Sequence, residues 1–319
     1  MHRIPVGVLG ASGYAGRELC SLIARHPRLD LAFATANERR GERARLGGAE
    51  VRFIAHDDAP LANAELVFAA LPHGASAAWI DRVRTAGARA VDLSSDLRPG
   101  NGATTAPYGL TEFARHELHD ATVVANPGCY PTAILMAVLP LAKRGLIAPG
   151  ATINASAASG VTGAGLTPRT DLLFGEVTED FRAYGIANTH RHLAEMRSML
   201  GASGADADLI FTPHLLPVAR GILATITVPL TEMLADPLAP YRDEFDGEPF
   251  VEVDAEPPAL RDVVRRNIVR ISARHVAGVR HPTLLVLSAI DNLVKGAAGQ
   301  AVQNANVVLG LDEPMGLPA

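Results

Sequence analysis

Cys129 stands in the run Asn126-Pro127-Gly128-Cys129-Tyr130-Pro131-Thr132. An apolar strand-like stretch, 122–125, precedes it, and an apolar helical stretch, 133–139, follows. Pro131 suits a first helical turn. The thiol therefore belongs at a helix N-terminus, where the backbone dipole favours thiolate over thiol. That is the chemistry of a nucleophile. Pro140 predicts a kink or an early end to the helix. The second of the two cysteines, Cys20, sits between Leu19 and Leu22 and reads as a packing residue.

The segment Thr189-His190-Arg191-His192 puts two imidazoles and a guanidinium side by side. Either imidazole can hold a thiol deprotonated and move a proton at a reacting oxygen. Arg191 can neutralise a carboxylate or phosphate. Paired histidines also bind zinc, but no further ligands stand at metal spacing, so no metal is expected. Arg220 follows His214 after a strand-like stretch and is a second candidate anion clamp, because a guanidinium holds a carboxylate bidentately. Asn126 in the cysteine turn completes the candidate substrate ligands.

A second chemistry lies at the start of the chain. Gly7, Gly10, Gly13 and Gly16 recur at every third position, after a strand at 6–9 and before a helix at 17–25. A pyrophosphate can approach backbone N–H groups at such a helix start only where side chains are small. Gly10, Ser12, Gly13, Tyr14, Ala15 and Gly16 are the expected dinucleotide contacts. The second strand ends Ala34-Thr35-Ala36-Asn37-Glu38-Arg39-Arg40, with no acid at its tip. An NAD site usually carries one there for the ribose hydroxyls. Arg39 instead points to the 2′-phosphate of NADP(H). The loop 156–165, rich in Gly, Ser and Thr, can cradle an oxyanion, and Ser159 and Gly160 are assigned to the cofactor. Asn292 and Gly296, just before the last helix, are expected to return to it.

These residues need a scaffold. Strands at 6–9, 29–36, 66–71, 90–93 and 122–125 alternate with helices, which predicts an α/β, Rossmann-type doubly wound parallel sheet. Later strands, at 151–157, 209–211, 224–228, 251–253, 268–273 and 283–290, are often joined by loops. They predict a second, α+β domain for substrate and oligomerisation. A helix at 299–308 is expected to close the chain on the first domain. The expected boundaries are 1–145 plus 297–319 for the dinucleotide domain and 146–296 for the second.

The 319 residues are 48% apolar and 20% charged, which excludes a disordered chain, and the formal net charge of −5 offers nothing to nucleic acid or an anionic membrane. Two cysteines, no signal-peptide layout and no long uncharged apolar run make the cytoplasm the expected compartment.

The turn 10–16, the segment 126–132, His190-Arg191-His192, Pro213-His214-Leu215 with Arg220-Gly221, and the stretch 288–296 together resemble the N-acetyl-gamma-glutamyl-phosphate reductase family, in family order over nearly the whole chain. The resemblance implies NADPH-dependent reduction of an acyl phosphate to a semialdehyde in arginine biosynthesis. It implies Cys129 as nucleophile, acid–base help from His190 and His192, and a homo-oligomer, a dimer or more usually a tetramer. Members usually carry Arg straight after the Gly163-Ala164-Gly165 stretch, whereas this chain has Leu166 there and Arg169 three residues on. They also usually carry Pro where Ala194 stands. The rival readings are reduction of an aminoadipyl phosphate, one methylene longer, in lysine biosynthesis, aspartate-semialdehyde dehydrogenase, and a non-catalytic NADP-binding regulatory protein.

Overall fold

The computed structural model describes residues 3–102 and 104–319. Met1, His2 and Ala103 lie outside the described residues, so the N-terminal reading rests on Arg3 onward. The chain divides into two compact units, Met1–Gly128 with Ala297–Ala319, and Cys129–Gly296.

The first unit is built on seven strands: β1 (Ile4–Leu9), β2 (Leu29–Thr35), β3 (Arg43–Leu46), β4 (Ala49–Ile54), β5 (Leu66–Ala69), β6 (Arg89–Asp92) and β7 (Val123–Ala125). They lie in the order β3-β4-β2-β1-β5-β6-β7, parallel except for the β3–β4 pair. The central strands are apolar and buried almost throughout because both sheet faces are covered. The helix Tyr14–Arg25 and the closing helix Gly299–Val308 share one core with Val6, Val8 and Phe68; Ile80 and Val83 of the helix Ser76–Thr85 join the other. The β3–β4 hairpin is absent from the sequence reading. Its signal was Gly47-Gly48, whose φ of +57 and +92 suit a two-residue turn that only glycine enters freely.

Every residue of the closing helix is buried, including four amides. Their partners explain how that is tolerated, since a buried polar group needs a hydrogen bond. Gln300 Nε2 donates to Thr111 Oγ1 at 2.5 Å, and Asn304 Nδ2 donates to the Gly109 carbonyl and to Asn126 Oδ1. Asn306 Nδ2 reaches the carbonyls of Glu313 and Met315.

The second unit carries β8 (Ala151–Gly160), β9 (Arg182–Ala183), β10 (Ala207–Leu216), β11 (Ile222–Pro229), β12 (Val251–Val253), β13 (Val269–His275) and β14 (Thr283–Ile290). Their order is β12-β13-β14-β11-β8-β10-β9, a mixed sheet. Burial alternates along β11, so one face is packed and the other is not. The packed face receives the helix Cys129–Lys143, buried from Tyr130 through Ala142. The expected domain boundary after residue 145 differs from this division into compact units. An all-apolar helix goes where it buries most surface, and here that is against β11 and β14. The division accordingly falls before Cys129. Pro140 neither ends this helix nor stops it short of Lys143.

Candidate active site

In the first unit the glycine turn fits a dinucleotide. Gly10 has φ +78, and a Cβ there would lie 2.3 Å from the Ala70 carbonyl oxygen. A Cβ on Gly16 would lie 2.3 Å from the Gly10 carbonyl oxygen, so glycine lets the helix start press against the strand. A Cβ on Gly13 meets nothing nearer than 3.8 Å, which leaves the helix start open. Ser12, Gly13, Tyr14 and Ala15 are half-buried there. Thr35, at the tip of β2, accepts the Gly10 amide, and its hydroxyl lies 2.5 Å from His56 Nδ1. The residues that directly follow the strand are Ala36 and Asn37, and the first acid after it is Glu38. Arg39 follows in the loop after the strand, its guanidinium paired with Glu42 at 2.6 Å. Asn126, expected to bind substrate, is fully buried, with its amide engaged by Asn304 and the Ala297 carbonyl. That makes it a structural anchor of the first unit.

In the second unit Cys129 is the first residue of its helix and is half-buried. Gly296 is the reason it fits: a Cβ there would come within 2.8 Å of Cys129 Cβ. The thiol opens on a cavity of about 160 Å³ shared with Tyr130, Ser159, Gly160, Arg169, Asp171, Arg182, Tyr184, His190, Arg191 and His192. The structure therefore brings together the cysteine, both histidines, Arg191 and the Ser159-Gly160 backbone. Cys20, by contrast, is wholly buried, and burial pushes its thiol up to about 12.

His190 and His192 lie where the chain enters the helix Leu193–Ala202. Ala187 and Asn188 before them adopt left-handed backbone, which costs a residue with a Cβ about 1–2 kcal/mol. Asn188 offsets this by pairing with β10 like a strand: its Nδ2 donates to the Leu209 carbonyl and its Oδ1 accepts the Phe211 amide. The two imidazoles are 4.8 Å apart, centre to centre. His190 Nδ1 accepts the His192 amide at 3.1 Å, so the neutral ring carries its proton on Nε2. His192 Nε2 stands 4.0 Å from Oε1 of the fully buried Glu195.

Burial, and then the charge of Arg191, push the His190 imidazole down to about 4. It is thus neutral across the physiological range. Because the folded value lies below the unfolded one, the unfolded chain takes up the proton first as pH falls. Stability present above about pH 6.5 is lost progressively toward pH 4. We expect ring-proton NMR to place the His190 midpoint below 5. A midpoint at 6.5 or above would refute its assignment as a neutral donor.

Other expected residues take different places. Arg220 does not line the cavity; it stands 3.5 Å from buried Asp291. Asn292 accepts the Gly221 amide and donates to Thr162, pinning the loop beside Ser159. Arg169 lines the cavity in a bidentate pair with Asp171, and Leu166 does not. The arginine displaced in sequence is thus still at the site. Tyr130, Tyr184 and Arg182 were missed by sequence reading. Their signal was faint: Phe181-Arg182-Ala183-Tyr184 offers aromatic and cationic side chains but no recognisable spacing.

Residues 5–121 match the family described as semialdehyde dehydrogenase, NAD binding domain, and residues 129–292 match semialdehyde dehydrogenase, dimerisation domain. The N-acetyl-gamma-glutamyl-phosphate reductases of Halorhodospira halophila and Marinobacter nauticus are each 40% identical to this chain, over 98% and 99% of it and 98% of each relative. The chain belongs to the N-acetyl-gamma-glutamyl-phosphate reductase family. A nicotinamide dinucleotide is the cofactor class that goes with the family's NAD-binding domain. Aspartate semialdehyde dehydrogenase II of Vibrio cholerae shares the fold, with a TM-score of 0.79 at 20% identity over 97% of this chain and 99% of that one. Among the described residues, no helix is long and apolar enough to cross a membrane, and no cluster of three or more His, Cys, Asp or Glu could hold a metal.

Proposed function

We propose that this chain reduces N-acetyl-gamma-glutamyl phosphate to N-acetylglutamate semialdehyde with NADPH, releasing phosphate, as a cytoplasmic homo-oligomer in arginine biosynthesis. The observation that carries the reading is Cys129 at a helix start, opening on a cavity with two imidazoles and Arg191. The name shared by the relatives favours this acyl group over an aminoadipyl homologue and over a non-catalytic role. A dimer is the smallest assembly in keeping with the matched dimerisation domain, and a tetramer is the finer expectation.

His192, backed by Glu195, takes the thiol proton. The Cys129 thiolate attacks the acyl carbon, the bond from that carbon to the phosphate oxygen breaks, and phosphate leaves a thioester. Arg191 neutralises the substrate's negative charge. The nicotinamide dinucleotide, when bound, supplies the hydride that reduces the acyl carbon. His190, with Nδ1 occupied, can offer only Nε2–H, which stabilises the oxyanion so formed. Collapse of that oxyanion restores the carbonyl, breaks the C–S bond and returns the thiolate.

The reverse reaction tests this. With N-acetylglutamate semialdehyde and phosphate, NADPH absorbance should rise from NADP far faster than NADH does from NAD. Arg39→Ala should narrow that preference about tenfold or more, the worth of one charge-assisted bond. Turnover only with the aminoadipate homologue would change the substrate, and silence with both would defeat the proposal.

A further inference from the structure

The Tyr130 hydroxyl is a hub beside the nucleophile. It lies 2.9 Å from the Tyr184 hydroxyl and 3.3 Å from the His214 carbonyl. Either hydroxyl can donate in the pair of tyrosines. The Tyr130 ring packs edge-on against His190, His192 and Phe211, with centroids 5.1–6.1 Å apart.

The segment Arg182–Tyr184 forms part of the cavity wall; Arg182 is anchored by its own side chain, to the carbonyls of Glu176 and Asp171 and to Asp180, whereas the Tyr184 end relies on one backbone bond, its ring contacts and its hydroxyl. Its strand β9 is two residues long, at the sheet edge, and pairs only with His214 and Leu215. One more backbone bond runs from the Tyr184 amide to the Pro213 carbonyl. So short an edge strand is marginal unaided. Burial, foremost, and charge on Cys129 hold the Tyr184 hydroxyl up to about 12, so it keeps its proton as the thiolate forms.

We propose that Tyr130 is a positioning residue for this reaction: its ring braces both imidazoles, and its hydroxyl tethers the 182–184 wall through Tyr184. The inference rests on the activity proposed above. The substrate meets Arg182 and Tyr184 in that wall, so the tether acts on substrate affinity and leaves the thiolate chemistry alone.

The test is a double-mutant cycle of Tyr130→Phe and Tyr184→Phe in the full chain, with hydrogen exchange of the Tyr184 amide measured alongside. Each single change should raise KM for the semialdehyde about fivefold to tenfold, the worth of one net hydrogen bond, with kcat within about twofold. The double variant should be no worse than the worse single, because both changes break the same bond. Exchange at Tyr184 should quicken in Tyr130→Phe. Multiplying losses in the double variant, a fall in kcat in place of the rise in KM, or unchanged exchange would each overturn the proposal. A wild-type chain inactive on the semialdehyde would defeat the activity reading alone, since exchange still reports the tether.

Discussion

Cys129→Ser should lower turnover at least about 10⁴-fold, on the scale of losing an activated nucleophile, while the fold and dinucleotide affinity stay unchanged. The helix start that favours thiolate does much less for a hydroxyl, whose proton is far harder to remove. Serine therefore needs a strong neighbouring base. His192, the base proposed for the thiol, is poorly matched to a hydroxyl so much less acidic, and His190 cannot replace it, because its Nδ1 already accepts the His192 amide and burial makes the ring reluctant to take a proton. The measurement is kcat in the phosphate-dependent assay, with iodoacetamide labelling at neutral pH beside it. Labelling should fall on Cys129 in the parent and vanish in the variant, Cys20 being sealed in the core. A serine variant retaining a hundredth of parental turnover would mean that the sulfur is not the attacking atom.

Gly10→Ala should cost about 2–5 kcal/mol and weaken dinucleotide binding beyond easy measurement. Two causes act together. A left-handed φ of +78 costs an alanine about 1–2 kcal/mol. The new methyl would also lie 2.3 Å from the Ala70 carbonyl oxygen, and overpacking against backbone costs about 1–3 kcal/mol more. Relief requires the turn to move, and the turn aims the N–H groups of the helix Tyr14–Arg25. The same substitution at Gly13, where a Cβ has room, should be far milder. Titration of each variant with NADP, followed by its denaturation midpoint, tests the contrast. Equal effects at the two positions would show that crowding at Gly10 is not what matters.

Local backbone was legible in the sequence. A cysteine between Pro-Gly and an apolar run announces a helix start, and glycines after a strand announce a phosphate turn. What depends on distant pairing was not. Asn126 stands in the same motif as Cys129, yet its amide is spent on Asn304, 178 residues away in sequence. Arg220 has the type of an anion clamp, but only the folded sheet shows it beside Asp291. The division before Cys129 left no sign in the sequence for a related reason. Apolar periodicity says that the helix Cys129–Lys143 is buried, and not against which sheet. Tyr184 escaped because an edge strand of two residues leaves no periodic trace.

The glycine fitted against Cys129 has a consequence for how this chain can change over generations. Cys129 and Gly296 are the first and last residues of the second unit, and they touch. Within the first unit, Asn126 donates to the Ala297 carbonyl at 3.3 Å. Cys129, the imidazoles and the arginines thus lie in one continuous stretch whose ends meet, and the two stretches flanking it in sequence make up the unit that carries the NAD-binding family match. Such pieces tolerate grafting. A lineage can exchange the acyl group it accepts by rewriting that stretch while the flanking unit is inherited intact.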